Sequence, residues 1–136
     1  CHRSASSVTA ESYPEISQLA TDLQAALTRL LETSKALQTL SKNDMDLALA
    51  NATLYLDMFG RVVIGWIWLR QAEIALGTIN RSTPKNRISK SDENFYRGKI
   101  QTARYYIERE LPVTEQQAQI LSSANSVSYD MLDEWF

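Results

Sequence analysis

The sequence has 136 residues, with 14 basic and 16 acidic side chains and a formal net charge of −2, so its length fits one domain. Its four Gly and three Pro are too few turn residues for a sandwich or barrel of many strands. One Cys, at position 1, and one His, at position 2, exclude an internal disulfide and the usual Cys- and His-based metal or catalytic sites. The slightly acidic balance gives no cationic field for nucleic acid.

The longest uninterrupted apolar run covers residues 62–69, between Arg61 and Arg70. It is much shorter than the about 20 residues that a membrane-spanning helix needs, so no membrane span is predicted. The first residues are polar and lack the apolar core of a signal peptide. We expect residues 1–12 to be a flexible or tethering segment and residues 13–136 to form one helical domain.

Pro14 begins the first predicted helix, because its fixed φ suits the first helical position. Apolar residues, Leu27 and Leu31 among them, then recur every three or four positions, which predicts one apolar stripe on a helix over residues 14–41. Ser41 and Asp44 resemble a capping box. A second helix is therefore predicted over residues 43–77, with a left-handed exit at Gly77 and Asn80.

Residues 78–91 are predicted to form a polar, basic loop. Ser91 is expected to cap a third helix over residues 92–111, which Pro112 ends. Thr114 and Gln117 are expected to cap a fourth helix over residues 114–125, and a short turn is predicted at residues 129–135. This order predicts an all-α fold, an antiparallel up-and-down four-helix bundle with a short C-terminal helical extension.

The middle of the second predicted helix is apolar all round. Val62, Gly65 and Leu69 lie on its core stripe, while Ile64 and Trp68 are interpreted as lying on the far side. Leaving both exposed would forgo roughly 3 to 6 kcal/mol. Either another domain or subunit covers this side, or the C-terminal tail folds back over it.

Glycines within the predicted helices indicate close packing, since each costs about 1 kcal/mol of helix propensity. They either admit a neighbouring backbone or ring or, at Gly60, bend a long helix, and both interpretations stay open. The candidate interface or interdomain packing residues are Phe59, Gly60, Ile64, Trp66, Ile67, Trp68, Phe95, Tyr96 and Gly98.

Two segments carry a family resemblance. They are the glycine- and tryptophan-rich residues 56–72 (LDMFGRVVIGWIWLRQA) and residues 94–106 (NFYRGKIQTARYY), which Leu111 and Pro112 follow. Together they resemble the additional C-terminal helical domain of the long, mostly bacterial acyl-CoA dehydrogenases. The resemblance covers residues 13–132 in length and helix order, and it is dense over residues 54–112.

The resemblance implies a parent flavoenzyme that binds FAD and oxidises an acyl-CoA thioester to the 2,3-enoyl-CoA. In such enzymes a glutamate base takes the α proton and the flavin takes hydride from the β carbon. These groups belong to the preceding dehydrogenase core, so no catalytic residue, no metal and no cofactor is assigned to this chain.

The implied partners are the dehydrogenase core and a second subunit, in a cytoplasmic homo-oligomer that binds no nucleic acid. The alternative is a stand-alone, non-catalytic helical bundle whose second helix binds a partner helix. A dehydrogenase core immediately upstream in the same reading frame would favour the first interpretation, and a start codon just before Cys1 would favour the second.

Four basic residues on the two motif-bearing helices have two possible roles. They either form ion pairs or contact a phosphate of flavin or CoA from another domain; they are Arg61, Arg70, Lys99 and Arg104. Asp57 precedes Arg61 by four residues, a favourable order for a helical ion pair. Glu73 and Glu108 are single carboxylates without metal-ligand spacing. The basic loop over residues 81–90 is expected to be solvated, with a CoA phosphate as its alternative contact.

Overall fold

The computed structural model describes residues 14–123. They form α1 (Pro14–Asn43), α2 (Met45–Ala50), α3 (Ala52–Asn80), α4 (Lys90–Tyr105), a π-helix (Tyr106–Glu110) and α5 (Val113–Ser122). Within this range the only β-type pairing is an isolated bridge between Thr83 and Asn86. The all-α prediction is confirmed. The segments predicted at residues 1–12 and 129–135 lie outside the described residues.

The long helices α1 and α3 pack antiparallel. The Ser34 and Tyr55 hydroxyls share a hydrogen bond of 2.5 Å, and Leu23 Cδ1 lies 3.3 Å from the position that a Cβ at Gly65 would occupy. Numbering therefore rises along one helix as it falls along the other. The helix α5 packs against both α1 and α3.

The helices α3 and α4 are also antiparallel. The Tyr106 hydroxyl donates to the Arg61 carbonyl at 3.2 Å, and the Lys99 ammonium lies 5.6 Å from the centre of the Trp68 ring. The core lies among all the long elements. Its largest fully buried apolar side chains are Ile16, Met58, Ile107, Leu111 and Leu121.

The second predicted helix is divided in two near its start. Ser41 remains within α1, and Asp44 caps α2 by accepting the Leu47 N–H at 3.1 Å. Asn51 then ends α2, and its buried side chain donates to the Leu47 carbonyl at 2.9 Å. The prediction of one continuous helix from residue 43 is wrong because Asp and Asn side chains bond the nearby backbone in competition with the helix.

The predicted end of this helix is also wrong. Gly77 stays within α3, which continues to Asn80. The Arg81 N–H donates to the Gly77 carbonyl at 3.1 Å and the Arg81 Nε donates to the same oxygen at 3.1 Å. Since Arg81 satisfies this carbonyl, no left-handed exit is needed. The connection to α4 is therefore residues 81–89 rather than 78–91.

The third and fourth predicted helices have different caps from those expected. Ser89, not Ser91, caps α4 by accepting the Asp92 N–H at 3.0 Å. Thr114 does not cap α5, because its hydroxyl donates to the Leu111 carbonyl at 2.7 Å. The Leu111 N–H bonds the Tyr106 carbonyl at 3.1 Å, which closes the wider turn of the π-helix just before Pro112.

Candidate functional site

The middle of α3 has two apolar faces, and within the described residues only one of them is covered. The inner face lies in the core and consists of Met58, Val62, Gly65, Leu69, Ala72 and Leu76. The outer face consists of seven large side chains that are 38 to 65% exposed: Leu56, Phe59, Val63, Ile64, Trp66, Ile67 and Ile74. Large exposed apolar patches mark interaction sites, so the outer face is the candidate functional site.

The apolar surface continues from α3 onto α1. The Phe59 ring lies 6.5 Å from that of Tyr55, and the Tyr55 hydroxyl bonds Ser34 of α1. Leu31, one turn before Ser34, is 54% exposed, and Leu27 is 38% exposed. The prediction that both leucines share the buried stripe of α1 is wrong, because their neighbours Ala26 and Leu30 occupy it.

Trp68 requires a correction. The sequence interpretation placed it with Ile64 on the far side of α3, but it is half-buried and packs against the core cluster. Trp68 follows Gly65 by three residues and so lies on the flank of the inner face. Ile64, in contrast, is 45% exposed.

The glycines differ in their surroundings. A Cβ at Gly65 would lie 3.3 Å from both Leu23 Cδ1 and Leu111 Cδ1 and 3.7 Å from Tyr106 Cε1. Gly65 therefore admits side chains from two other parts of the chain. No described atom outside the local backbone lies within 4 Å of a Cβ at Gly60 or Gly98, so any neighbour of theirs comes from outside this range.

Lys99 of α4 lies near one aromatic ring of its own helix and one of α3. Phe95 is 59% exposed, and its ring meets that of Tyr96 edge-on at 5.6 Å. The Lys99 ammonium lies 5.1 Å from the Phe95 ring and 5.6 Å from the Trp68 ring. At these distances the cation is attracted by both rings, so Lys99 holds α4 against the flank of α3.

Arg61 joins three elements. Its Nε lies 3.3 Å from Asp57 Oδ2 and its Nη1 lies 3.8 Å from Glu110 Oε2 of the π-helix. The Gln117 amide of α5 donates to the same Asp57 oxygen at 2.6 Å. Burial raises the pKa of the Tyr106 hydroxyl, which bonds the Arg61 carbonyl, and the Arg61 charge opposes this shift. The network fixes the π-helix and α5 on α3.

The other predicted basic residues have local partners. Arg70 Nη1 bonds Glu73 Oε2 at 3.2 Å, and Arg104 Nε lies 3.7 Å from Glu108 Oε1. Glu73 is 6% exposed, and burial raises the pKa of its carboxyl while Arg70 opposes the shift. Among residues 14–123, no cluster of three or more His, Cys, Asp or Glu side chains has the arrangement of a metal site.

Sequence reasoning missed several residues of the site. Leu56, Val63 and Ile74 belong to the outer face but were not among the candidates. Their spacing held the signal, because with Gly60, Ile67 and Arg70 they follow one another at alternating intervals of four and three positions. Sequence reasoning also missed the hydrogen bond from Arg29 Nη2 to the Thr114 hydroxyl at 3.1 Å. No short sequence pattern indicates this contact, because the two residues are far apart in the chain.

The basic connection forms a shallow feature of its own. Arg87 and Lys90, with Ser82 and Glu93, line an open depression of about 430 Å³. The Lys90 ammonium lies 3.7 Å from Glu93 Oε2, so a carboxylate offsets part of the positive charge. A CoA phosphate in this depression stays a hypothesis.

The length and composition of α3 would also allow it to cross a membrane. Its most apolar 18-residue window has a mean hydropathy of 1.3, and 39% of that window is buried within the described chain. This is weak evidence, because the core helix of a soluble protein passes the same test. The expectation of no membrane span stays a prediction.

Comparison with known proteins gives one relationship. No curated protein and no solved structure matches the chain. The family model described as acetyl-CoA dehydrogenase C-terminal like matches residues 3–131. This range includes all the described helices and both faces of α3. The chain therefore belongs to the acetyl-CoA dehydrogenase C-terminal-like family.

Proposed function

We propose that this chain is the C-terminal accessory and assembly domain of an FAD-dependent acyl-CoA dehydrogenase. The parent enzyme would oxidise an acyl-CoA thioester to the 2,3-enoyl-CoA, with the FAD bound by the preceding dehydrogenase core. The observation that carries the proposal is the outer face of α3. Family membership supports the link to the dehydrogenase, and the apolar surface supports the assembly role.

The energetics of the outer face support a docking role. Burying one large apolar side chain stabilises a protein by roughly 1.5 to 3 kcal/mol. Seven such side chains are 38% or more exposed on one helix, and their combined burial would be comparable with the whole net stability of a small domain, about 5 to 15 kcal/mol. A surface of this kind favours permanent contact with another protein body.

The polar groups of the described chain favour a structural role. Arg61, Arg70 and Arg104 are engaged by carboxylates of this same chain. The buried Glu73 bonds Arg70 and lies on the core side of α3. We therefore assign the proton abstraction and the hydride transfer to residues and flavin of the dehydrogenase core, and assign packing to this domain.

The proposal is tested in the parent reading frame, expressed with and without this domain. The full protein should purify with FAD and reduce an artificial electron acceptor when an acyl-CoA is added. This domain expressed alone should bind no FAD. A reading frame that begins at this chain, or stoichiometric flavin on the isolated domain, would contradict the proposal and, in the first case, favour a stand-alone interaction module.

The assembly role needs a separate measurement. Ile64→Glu and Trp66→Glu place a charge on the outer face, and Tyr105→Glu places a charge on α4, at a residue that is 59% exposed. We expect the outer-face variants to keep the FAD content of the parent enzyme but to lose its oligomeric state or expose this domain to protease. The Tyr105 variant should behave like the parent, and equal effects at all three positions would contradict a specific docking face.

A further inference from the structure

The outer face of α3 repeats the geometry of its inner face. The inner face has apolar or glycine residues at alternating intervals of four and three, which are Met58, Val62, Gly65, Leu69, Ala72 and Leu76. The outer face has the same intervals two positions earlier, with Leu56, Gly60, Val63, Ile67, Arg70 and Ile74. This is the spacing with which one helix packs lengthwise against another. The outer face is therefore shaped to receive a helix.

The surroundings of Gly65 and Gly60 show which of the two faces has a neighbour packed against it. Gly65 on the inner face receives Leu23 and Leu111, each 3.3 Å from its Cβ position. Gly60 lies on the outer face, two positions before Val62 of the inner face, and no described atom outside the local backbone lies within 4 Å of its Cβ position. A glycine in mid-helix costs about 1 kcal/mol relative to alanine. At Gly60 this cost is explained if a side chain from another molecule enters the notch.

We propose that the occupant is the outer face of α3 from a second copy of this chain, packed antiparallel about a two-fold axis between Gly60 and Val63. A two-fold contact requires a surface that is complementary to itself. This face offers both a notch, at Gly60, and large side chains on either side of it. In the antiparallel pair Gly60 of one copy would oppose Val63 of the other, and Leu56 would oppose Ile67.

Charge and size both favour this pairing. The seven large side chains of the outer face carry no charge. Arg70, the charged residue in its spacing, bonds Glu73 of its own copy and would oppose Thr53 of the other copy, so two identical faces can meet without like-charge repulsion. The nearest carboxylate in sequence, Asp57, is held by Arg61 and Gln117 of its own copy. If the seven large side chains of each copy were buried, the area removed from solvent would be comparable with the roughly 800 Å² that each partner of a stable protein interface buries.

The inference rests on the assembly role proposed above and specifies its contact between subunits. It is tested by cysteine cross-linking of the 136-residue chain in a Cys1→Ser background. In the antiparallel pair two copies of residue 63 lie roughly 5 Å apart along the helix axis, and two copies of Ile74 lie roughly 37 Å apart, at 1.5 Å per residue. A disulfide requires Cα atoms closer than about 7 Å.

We expect Val63→Cys to form a covalent dimer under a mild oxidant and Ile74→Cys to remain monomeric on the same gel. Cross-linking of both variants would show a parallel pair and overturn the proposed contact. Failure of both, with a monomer in sedimentation, would overturn the second copy as the occupant. Neither of these results bears on whether a flavin-binding core precedes this chain, so the two proposals fail separately.

A matched pair of glycine variants guards against misfolding as the cause. Gly60→Glu and Gly98→Glu both replace a helical glycine whose Cβ position is open, so circular dichroism should show unchanged helix content for both. Gly60→Glu should raise the dissociation constant of the dimer at least tenfold, and Gly98→Glu should leave it unchanged. Equal weakening by both variants would overturn the assignment to α3.

Discussion

The two faces of α3 have the same residue spacing and similar apolar composition but opposite surroundings. On the inner face Met58 and Ala72 are fully buried, while on the outer face Leu56 and Trp66 are more than half exposed. Periodicity therefore identifies a packing surface but does not say which body packs on it. Within the described residues, α1, α4 and α5 cover one face and leave the other exposed.

The largest difference between the faces should appear when a leucine is shortened. Leu69→Ala empties part of the core, because Leu69 is 7% exposed, whereas Leu56→Ala shortens a side chain that is 65% exposed. Both substitutions replace leucine by alanine within one helix, so the difference in helix propensity between these residues cancels in the comparison. We expect Leu69→Ala to lower the free energy of unfolding by about 2 to 5 kcal/mol and Leu56→Ala to change it by about 0.5 kcal/mol or less.

Urea unfolding followed by circular dichroism measures this difference, at a protein concentration low enough to keep the chain monomeric. If self-association persists, the Leu56 effect should grow with protein concentration and the Leu69 effect should not. Similar losses for the two variants in the monomer would mean that a part of the chain outside the described residues covers Leu56.

A second, smaller difference in the free energy of unfolding should appear when each glycine is replaced by leucine. Gly65→Leu would press against Leu23 and Leu111, whose methyl groups lie 3.3 Å from the Cβ position. Overpacking of this kind costs about 1 to 3 kcal/mol. Gly60→Leu meets no described neighbour within 4 Å and should instead stabilise the monomer by up to about 1 kcal/mol through helix propensity.

Thermal unfolding of the dilute chain gives the sign of each glycine effect. The comparison is sharpened because the two substitutions are identical and occur in one helix. A loss of stability at Gly60 equal to that at Gly65 would show that a part of the chain outside the described range fills the outer notch.

The fold was largely predictable because the spacing of apolar residues indicates where the helices lie. The all-α class and the approximate extent of α1, α3, α4 and α5 follow from that spacing. The ends were not predictable, since Asp44, Asn51 and Arg81 decide them by individual hydrogen bonds to the backbone. Such bonds depend on side-chain rotamers that a residue pattern does not contain.

The site was predictable in kind but not in outline. The apolar side chains all round the middle of the second predicted helix indicated a second apolar face, and Ile64, Trp66 and Ile67 do lie on it. The prediction that Trp68 lies on the far side was wrong because α4 packs beside the inner face and so widens the buried surface of α3. The sequence pattern does not give this width. Lys99 illustrates the same limit, since its position between the Trp68 and Phe95 rings arises only when the two helices meet.

The smallest expected effect concerns Glu73, whose ion pair joins the two faces of α3. Glu73 is buried on the core side, while Arg70 follows the outer spacing and bonds it at 3.2 Å. Burial raises the pKa of the folded carboxyl above its ordinary value of 4.5, despite the opposing charge of Arg70. In the pH range just above 4.5 the folded chain therefore binds more protons than the unfolded chain, and stability falls as pH rises through that range.

Glu73→Gln cannot ionise and should remove this fall. The free energy of unfolding of the variant, relative to the parent chain, should therefore increase as pH is raised from below 4.5 to neutrality. Glu108→Gln, which removes the half-exposed partner of Arg104, controls for the loss of one negative charge. If the parent chain instead gains stability relative to Glu73→Gln as pH rises, the attraction between Arg70 and the ionised Glu73 exceeds the cost of burying that carboxylate. The ion pair between the two faces would then stabilise the fold.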